Sequence, residues 1–388
     1  MMDLWQEMSL NLDRLAQEDL FRELRVVQSP HGARITLGDR TVMCFCGNDY
    51  LCLANHPRLK ASAVDAIERW GVGSGASRLV SGTSAVHEEL ERRLADFKRC
   101  AGAVVVSTGW MANHVAMHAL ANKGDLVLCD KLNHASIIDA ARSCGATMRT
   151  YPHRDARRLR NLLDRLGGRY RRRIIVTDSL FSMDGDLADL RELAKIKREY
   201  DALLMIDEAH ATGVLGDDGR GAAEMLGVED QVDVTVGTLS KAIGCMGGFV
   251  AGPGVLRDWI INSGRQFIYT TAPPASICAA AITALDVIRD QPERRKNLLE
   301  LGNYLRARLD EAGLCVGADS VGPIVPVIVH SPTKALSIGA RLLEEGFLVG
   351  SIRPPTVAPG SSRLRISLCC DHTRDDIDAL VSALVGAM

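Results

Sequence analysis

The sequence predicts an α/β protein with a mostly parallel central sheet covered by helices, followed by a smaller α+β domain. From about residue 100, short apolar runs rich in β-branched residues alternate with helical segments. Near-continuous apolar strands separated by helices are typical of a parallel sheet with both faces covered. After about residue 292 a charged helix precedes further strands. We therefore predict an N-terminal helical and β segment over 1–45, a large domain over 46–291 and a small C-terminal domain over 292–388.

The predicted elements follow one another in a regular order. The segment up to about residue 35 has helical character and precedes the β-like stretch "RITLGDRTVMCFC". In the large domain, strands are predicted at "GAVVVST", "DLVLCD", "RIIVTDS", "ALLMIDE", "VDVTVGT" and "GGFVAG", with helices such as "MANHVAMHALAN" and "LADLRELAKIKREY" between them. In the C-terminal domain, the strands are "IVPVIVH" and "SRLRISLC" and the helices are "ERRKNLLELGNYLRARLDEAG" and "TKALSIGARLLEEG".

The composition argues against several classes of function. The 388 residues include 46 basic and 48 acidic side chains, so the net charge is close to zero. Such a balance gives no electrostatic attraction to nucleic acid or to a membrane surface. No apolar run approaches the roughly 18 residues that span a bilayer, and the amphipathic N-terminus lacks the apolar core of a signal peptide. The 11 cysteines form no C-x-x-C pair, and neither Cys44 with Cys46 nor Cys369 with Cys370 has a common zinc spacing. We expect a cytoplasmic protein with reduced thiols and no metal site.

The stretch "ALLMIDEAHATG", residues 202–213, has two interpretations. In a nucleotide-driven motor, a D-E-A-H segment follows a buried strand and binds the metal ion. Such a motor also needs a G-x-x-x-x-G-K-[ST] loop that binds the phosphates. This sequence contains no such loop. Asp207 is better explained as a carboxylate at the carboxyl end of a strand, where parallel sheets bind ligands. A buried carboxylate there needs a cationic partner, and a protonated pyridine nitrogen is one.

A lysine follows the next predicted strand. Lys241 comes directly after Thr238-Leu239-Ser240 and before the small residues that follow. A lone lysine at this position would usually be a solvated surface charge, but a partly buried lysine near another cation has a lowered pKa and can form a Schiff base. The hydroxyls of Thr238 and Ser240 could meet a phosphate beside it.

A third feature is the stretch "VVVSTGWMANHVAMHAL", in which a strand leads through Thr108, Gly109 and Trp110 into a helix. Backbone N–H groups at a helix start bind anions, and a glycine lets the backbone come close to the ligand. An ordinary strand-to-helix turn would look the same. A strand-end acid, a strand-end lysine and a phosphate-binding turn together predict a site for pyridoxal 5'-phosphate (PLP).

From about residue 40 to its end, the chain resembles the α-oxoamine synthase family of PLP enzymes. The matching segments are "NDYLCL", "GSGASRLVSGTSAVHEELE", "STGW", "LNHASIIDAAR", "DSLFSMDGDLADL", "DEAHATGVLG", "TLSKA", "IYTTAPP" and "RPPTVAPGSSRLRISL". The resemblance implies a fold-type I architecture and a homodimer with active sites at the subunit interface. It also implies the family's reaction, in which an amino acid condenses with an acyl thioester and loses CO2.

The resemblance implies roles for individual residues, which we state as expectations. Lys241 would bind the cofactor covalently and transfer the proton, Asp207 would pair with the pyridine nitrogen, and His134 would stack on the ring and assist the decarboxylation. Further cofactor contacts are expected from Gly109, Trp110, Ser182, His210, Thr238 and the partner subunit's Thr271. The amino-acid substrate would be bound by Asn48, Arg363 and Thr356, of which Asn48 and Arg363 would hold its carboxylate.

The segment Ile-Arg-Pro-Pro-Thr-Val, residues 352–357, is similar to the branch of the family that joins L-alanine to a pimeloyl thioester in biotin biosynthesis. The sequence leaves open whether coenzyme A (CoA) or an acyl carrier protein delivers the acyl group. The main alternative is another α-oxoamine synthase, such as a glycine C-acetyltransferase, which would share the catalytic residues. An ordinary fold-type I aminotransferase or decarboxylase and a cofactor-binding regulator are further alternatives. The complete catalytic set argues against the regulator.

Overall fold

The structure is a computed structural model that describes residues 3–317 and 319–388. These residues form two compact units. The large unit consists of Asp49–Ser182 and Asp186–Asn297. The small unit consists of the described residues of Met1–Asn48, Met183–Gly185 and Leu298–Met388.

The regular elements are numbered in chain order. The strands are β1 (Arg34–Leu37), β2 (Arg40–Phe45), β3 (Gly102–Val106), β4 (Leu126–Asp130), β5 (Thr147–Tyr151), β6 (Arg173–Asp178), β7 (Leu203–Asp207), β8 (Val234–Thr238), β9 (Gly248–Gly252), β10 (Ile324–His330), β11 (Phe347–Ile352) and β12 (Ser362–Ser367). The helices are α1 (Leu4–Gln17), α2 (Pro57–Trp70), α3 (Ala85–Phe97), α4 (Gly109–Leu120), α5 (Ala135–Ser143), α6 (Ala156–Leu166), α7 (Leu190–Glu199), α8 (Ala222–Leu226), α9 (Gly254–Ser263), α10 (Arg265–Ile268), α11 (Ala275–Asp290), α12 (Glu293–Glu311), α13 (Pro332–Glu344) and α14 (Arg374–Ala387).

The large unit is built around a seven-stranded sheet with the order β3-β9-β8-β7-β6-β4-β5. Neighbouring strands from β5 to β8 are parallel, and β9 runs antiparallel to both β8 and β3. The predicted α/β fold with a mostly parallel sheet is confirmed. Every residue of β3, β4 and β9 is buried, as expected for apolar strands covered on both faces.

Strand β5 has no counterpart among the predicted strands. It is the last strand of the sheet, and Arg149 and Thr150 within it are exposed. Its sequence "TMRTY" lacks the continuous apolar run that marks the other strands of this sheet, so the pattern did not predict it.

Helix α4 packs closely on the sheet because its buried face contains small and β-branched side chains. Ala112, Val115 and Ala116 are fully buried there, in one apolar cluster with Val127 of β4 and Val236 of β8. Close packing without voids holds the helix in a defined position. The start of α4 is thereby fixed beside the carboxyl ends of the strands.

The small unit contains a five-stranded sheet with the order β1-β2-β11-β12-β10. Strand β2 runs parallel to β11, and β12 runs antiparallel to both β11 and β10. The N-terminal segment, predicted as a separate region, therefore shares a sheet with the C-terminal strands. Local periodicity carries no information on this pairing, since it joins residues as distant in sequence as Met43 and Phe347.

The N-terminal helix is shorter than predicted. Helix α1 ends at Gln17, and Asp19 has a left-handed backbone with φ of 57°. An L-residue in this conformation cannot continue a right-handed helix. Among the described residues, no helix is both long enough and apolar enough to cross a membrane.

Candidate active site

The carboxyl ends of β6, β7 and β8 and the starts of α4 and α5 surround a cavity of about 150 Å³ in the large unit. This is where parallel sheets bind ligands. The residues that line it are Gly109, Trp110, Asn113, His134, Ser136, Asp178, Asp207, Ala209, His210, Val236, Gly237, Thr238 and Lys241. The fold thus brings together many of the residues that the sequence predicts for the cofactor, although they are far apart in the chain.

Asp207 is the last residue of β7 and is only 4% exposed. Its Oδ1 accepts a hydrogen bond from the backbone N–H of Ala209 at 2.8 Å, and its Oδ2 accepts one from Nδ2 of Asn113 at 2.7 Å. These two donors fix the orientation of the carboxylate at the cavity wall. A carboxylate held in this way is suited to pair with a cationic ring nitrogen.

Asn113 and Ser136 connect Asp207 to the imidazole of His134. Nδ2 of Asn113 also donates to Oγ of Ser136 at 2.9 Å, and that hydroxyl lies 2.8 Å from Nδ1 of His134. The backbone N–H of Ser136 donates to the same Nδ1 at 3.3 Å, so this nitrogen is an acceptor. The imidazole proton must then reside on Nε2. Sequence reasoning did not single out Asn113 or Ser136, because polar residues near a helix start are common.

His134 is suited to be neutral. Burial lowers the pKa of its imidazole, the positive charge of Lys241 acts in the same direction, and the carboxylate of Asp207 opposes both. A neutral imidazole presents an uncharged ring face to a flat ligand. The indole of Trp110 meets this imidazole edge-on, with ring centroids 6.1 Å apart.

Asp178, at the end of β6, is a second carboxyl group of the cavity that sequence reasoning missed. Its Oδ2 accepts the backbone N–H of His134 at 2.6 Å. Burial, together with the nearby charge of Asp207, raises the pKa of Asp178 well above its usual range. The contact holds the backbone at the start of α5, and with it the position of the His134 ring.

His210 has a phenol partner that the sequence did not reveal. The hydroxyl of Tyr50 lies 2.7 Å from Nδ1 of His210, and both side chains are buried. The bond fixes the orientation of the imidazole at the cavity wall. Tyr50 lies within the matched segment "NDYLCL", but nothing in the sequence placed it beside residue 210.

The predicted phosphate-binding turn approaches β8 closely. Thr108 caps α4 by accepting the backbone N–H of Met111 at 3.1 Å. A Cβ at Gly109 would lie 3.2 Å from both Cβ and Oγ1 of Thr238, so a side chain there would narrow the space between the turn and the strand. The backbone N–H groups at the start of α4 and the hydroxyl of Thr238 are therefore close neighbours, as an anion site requires.

Lys241 lies in a tight turn after β8. The carbonyl of Lys241 accepts the backbone N–H of Gly244 at 2.8 Å. Gly244 has φ of 72°, and a Cβ there would lie 2.4 Å from the backbone nitrogen of Ala54. Only glycine fits this position, and the turn places Lys241 at the cavity.

Glu208, the second letter of the D-E-A-H stretch, has a structural role. It is 2% exposed, and its Oε2 lies 2.6 Å from the buried Nζ of Lys98. Its Oε1 accepts the backbone N–H of Ala223 at 3.0 Å. This buried ion pair secures the segment between the catalytic candidates Asp207 and His210.

Two predicted cofactor residues of the large unit do not line this cavity. Ser182 follows β6 in the chain, and Thr271 is exposed and forms an isolated antiparallel bridge with Ser77. Their roles remain predictions.

The predicted substrate residues belong to the small unit. The guanidinium of Arg363 donates to the Asp184 carboxylate and to the carbonyl of Met183. Nη2 of Arg365, two residues further along β12, donates to Oδ1 of Asn48 at 3.3 Å. Asn48 is thus adjacent to an arginine other than the one predicted. Thr356 is exposed, and its backbone N–H donates to the carbonyl of Arg353 at 3.1 Å.

The residues of the cavity fit the chemical groups of PLP. The fixed carboxylate of Asp207 suits a protonated pyridine nitrogen, and the side-chain-free space at Gly109 suits a phosphate beside the start of α4. A neutral imidazole and an amine complete the donor set.

Comparisons with known proteins agree with this geometry. Residues 40–384 match the aminotransferase class I and II family. The chain is 45% identical to the 8-amino-7-oxononanoate synthase of Geotalea daltonii, with 96% of this chain and 95% of the relative covered. It is also 45% identical to that of Methylococcus capsulatus, with 97% of each covered.

Solved structures of related PLP enzymes have the same fold as this chain. A serine palmitoyltransferase from S. paucimobilis with bound PLP–myriocin aldimine is 29% identical and has a TM-score of 0.94, covering 100% of this chain and 98% of its own. An 8-amino-7-oxononanoate synthase from Francisella tularensis is 29% identical and has a TM-score of 0.78, covering 89% of this chain and 97% of its own. The chain therefore belongs to the aminotransferase class I and II family and, within it, to the 8-amino-7-oxononanoate synthase group of α-oxoamine synthases that its motifs predict.

Proposed function

We propose that the chain catalyses the PLP-dependent decarboxylative condensation of L-alanine with a pimeloyl thioester, which gives 8-amino-7-oxononanoate, CO2 and the free thiol. The observation that carries the proposal is the cavity in which Lys241, Asp207 and a neutral His134 meet. The names of the relatives at 45% identity support this choice of substrates, as does the segment 352–357.

When bound, PLP withdraws electrons from the Cα of the amino acid through its protonated ring. Asp207 keeps the ring nitrogen protonated, because an adjacent carboxylate favours the cationic form. Thr238 and the backbone at Gly109 would hold the phosphate. His210, oriented by Tyr50, would donate to the phenolic oxygen of the ring.

Lys241 has two roles in the proposed reaction. Its amine would hold the cofactor covalently before the amino acid binds. The released amine then removes the Cα proton, and after the thiol and CO2 have left it returns a proton to the product carbon. His134 would cover the ring face and would orient the carbonyl of the acyl group during the loss of CO2.

The carboxylate of the amino acid needs a guanidinium, and the small unit offers two. The sequence favours Arg363, whose guanidinium already donates to Asp184. We propose Arg365 as the alternative, because its partner Asn48 is itself predicted to bind the carboxylate. Arg365→Lys should then raise KM for L-alanine by roughly tenfold or more, since lysine cannot form the bidentate contact. Arg363→Lys is the matched control, and the opposite pattern would return the role to Arg363.

We further propose a homodimer in which the partner subunit's Thr271 reaches the phosphate. Large apolar side chains exposed in the large unit support a subunit interface; they include Trp70, Val72, Val80 and Tyr269. Light scattering coupled to size-exclusion chromatography should give twice the chain mass of 42.0 kDa. A monomer that turns over normally would exclude a shared site.

The experiment that tests the function measures thiol release from pimeloyl-CoA by the PLP-loaded protein, with L-alanine, glycine and L-serine in parallel. We expect release with L-alanine and a product with the mass of 8-amino-7-oxononanoate. Release only with glycine and a short acyl-CoA would keep the chemistry and assign the chain to the glycine C-acetyltransferases. If no pair reacts, pimeloyl carrier protein is the second donor to be tested, and failure there as well would contradict the proposal.

A further inference from the structure

Cys44 and Cys46 form a thiol pair in the small unit that the proposed reaction does not use. Their Sγ atoms lie 4.0 Å apart. Cys44 lies in β2 and Cys46 directly follows that strand, and side chains two residues apart on extended backbone point to the same face. Cys44 is 7% exposed, and Cys46 is half-buried, so small solutes in water can reach the pair through Cys46.

The two sulfurs are chemically different. The hydrogen bond from the Cys46 thiol lowers the pKa of the Cys44 thiol to about 6 in spite of burial, and the backbone N–H groups of Cys46 and Gly47 act in the same direction. The same hydrogen bond, with burial, raises the pKa of Cys46, which stays protonated. A thiolate beside a protonated thiol is the arrangement of a reactive cysteine and its resolving partner.

The backbone holds Cys44 more firmly than Cys46. The N–H of Cys44 donates to the carbonyl of Ala33 at 2.8 Å, and Cys44 pairs with Leu348 of β11. Cys46 lies beyond the end of β2 and beyond the last pair of the β2–β11 register. A Cβ at Gly350 would lie 3.7 Å from the Cβ of Cys46. Strand pairing therefore constrains Cys46 less than Cys44.

We propose that Cys44 and Cys46 are a modification site for hydroperoxides, which convert the pair reversibly into a disulfide. The Cys44 thiolate attacks the peroxide oxygen, the O–O bond breaks, and after protonation a sulfenic acid and one water are formed from hydrogen peroxide. The sulfur of Cys46 then attacks that of Cys44, which forms the S–S bond and releases a second water. Overall, two thiols are oxidised and one peroxide is reduced to two waters.

This disulfide should be easy to reduce. Two residues of extended strand span about 6.6 Å, close to the upper limit of Cα separation that a disulfide tolerates. Strained bridges have the more oxidising potentials of labile or regulatory disulfides. A dithiol should therefore restore the pair.

The bridge would act on amino-acid binding, a consequence that rests on the proposed function. Asn48 lies two residues beyond Cys46, and its Oδ1 accepts the hydrogen bond from Arg365 at 3.3 Å. Drawing Cys46 toward Cys44 moves the backbone of Gly47 and Asn48. We expect KM for L-alanine to rise by roughly tenfold, as for one lost hydrogen bond to a charged group, with little change in kcat.

The test uses the PLP-loaded full-length protein with Cys52→Ser, because trypsin would leave Cys44, Cys46 and Cys52 on the single peptide 41–58. The protein is treated with hydrogen peroxide, alkylated and digested. We expect peptide 41–58 to lose two hydrogens and to take up no alkylating agent until a dithiol is added. Cys46→Ser in the same background is the matched variant, and the exposed Cys315 is the internal control thiol.

Each outcome decides one part of the proposal. If peptide 41–58 remains fully alkylated while Cys315 is oxidised, the modification site is refuted. The second comparison is KM for L-alanine in the oxidised protein and in the Cys46→Ser variant treated in the same way. If the disulfide forms but these two KM values are equal, the link between the disulfide and amino-acid binding is refuted. The peptide result does not depend on turnover, so a failure of the proposed function would be seen separately.

Discussion

A chain of side-chain hydrogen bonds runs from Asp207 through Asn113 and Ser136 to His134. It ties the carboxylate that would pair with the ring nitrogen to the imidazole that would cover the ring face. Because Asp207, Asn113 and Ser136 are buried, loss of one of these side chains leaves a buried neighbour short of a hydrogen bond, at a cost of about 1–3 kcal/mol. Asn113 is the member that contacts both sides.

Asn113→Ala should therefore weaken PLP binding and lower kcat/KM by roughly tenfold to a hundredfold. Ser136→Ala is the matched variant, because it keeps the bond between Asn113 and Asp207 and removes only the hydroxyl that links Asn113 to His134. The measurement is the PLP dissociation constant, together with the absorbance spectrum of the bound cofactor as a function of pH. We expect Asn113→Ala to shift that pH dependence and Ser136→Ala to shift it less. Equal behaviour of the two variants would count against a direct role of Asn113 at Asp207.

At the scale of elements, a histidine after β5 ties two loops of the large unit together. Nδ1 of His153 lies 3.0 Å from Asp130 at the end of β4, and Nε2 lies 2.7 Å from Asp186. Burial by itself would lower the pKa of His153, but the hydrogen bonds to both carboxylates raise it to about 9. The charged imidazole thus stabilises the loops that follow β4 and β6.

The sign of the resulting pH dependence follows from linkage. The pKa of His153 is higher in the folded chain than the value of 6.5 expected for the unfolded chain. The contribution of His153 to the free energy of unfolding is therefore fully present below about pH 6.5 and is lost as the pH rises through about 9. This contribution amounts to no more than about 3 kcal/mol. His153→Gln should lower the free energy of unfolding at pH 6 and have a smaller effect at pH 9.5, as measured with urea. The exposed His31→Gln is the control, and an equal loss at both pH values would contradict the assignment.

At the scale of the whole molecule, the sequence was informative where structure is local. Apolar runs predicted six of the seven strands of the large sheet, and the order of Asp207 and Lys241 after two of those strands predicted the cofactor site. The edge strand β5, the pairing of β2 with β11, and the partners Tyr50, Asn113 and Asp178 were not predictable in this way. Each depends on contacts between residues distant in the chain, which no local pattern records.

The central claim is that Lys241, at this cavity, is the residue that binds PLP. The most direct test is to reduce the PLP-loaded protein with borohydride, digest it and locate the modified lysine by mass spectrometry. We predict a single modified site at Lys241, and no modification and no thiol release in Lys241→Ala. Modification of another lysine in the wild-type protein, or substantial turnover by Lys241→Ala, would contradict the account.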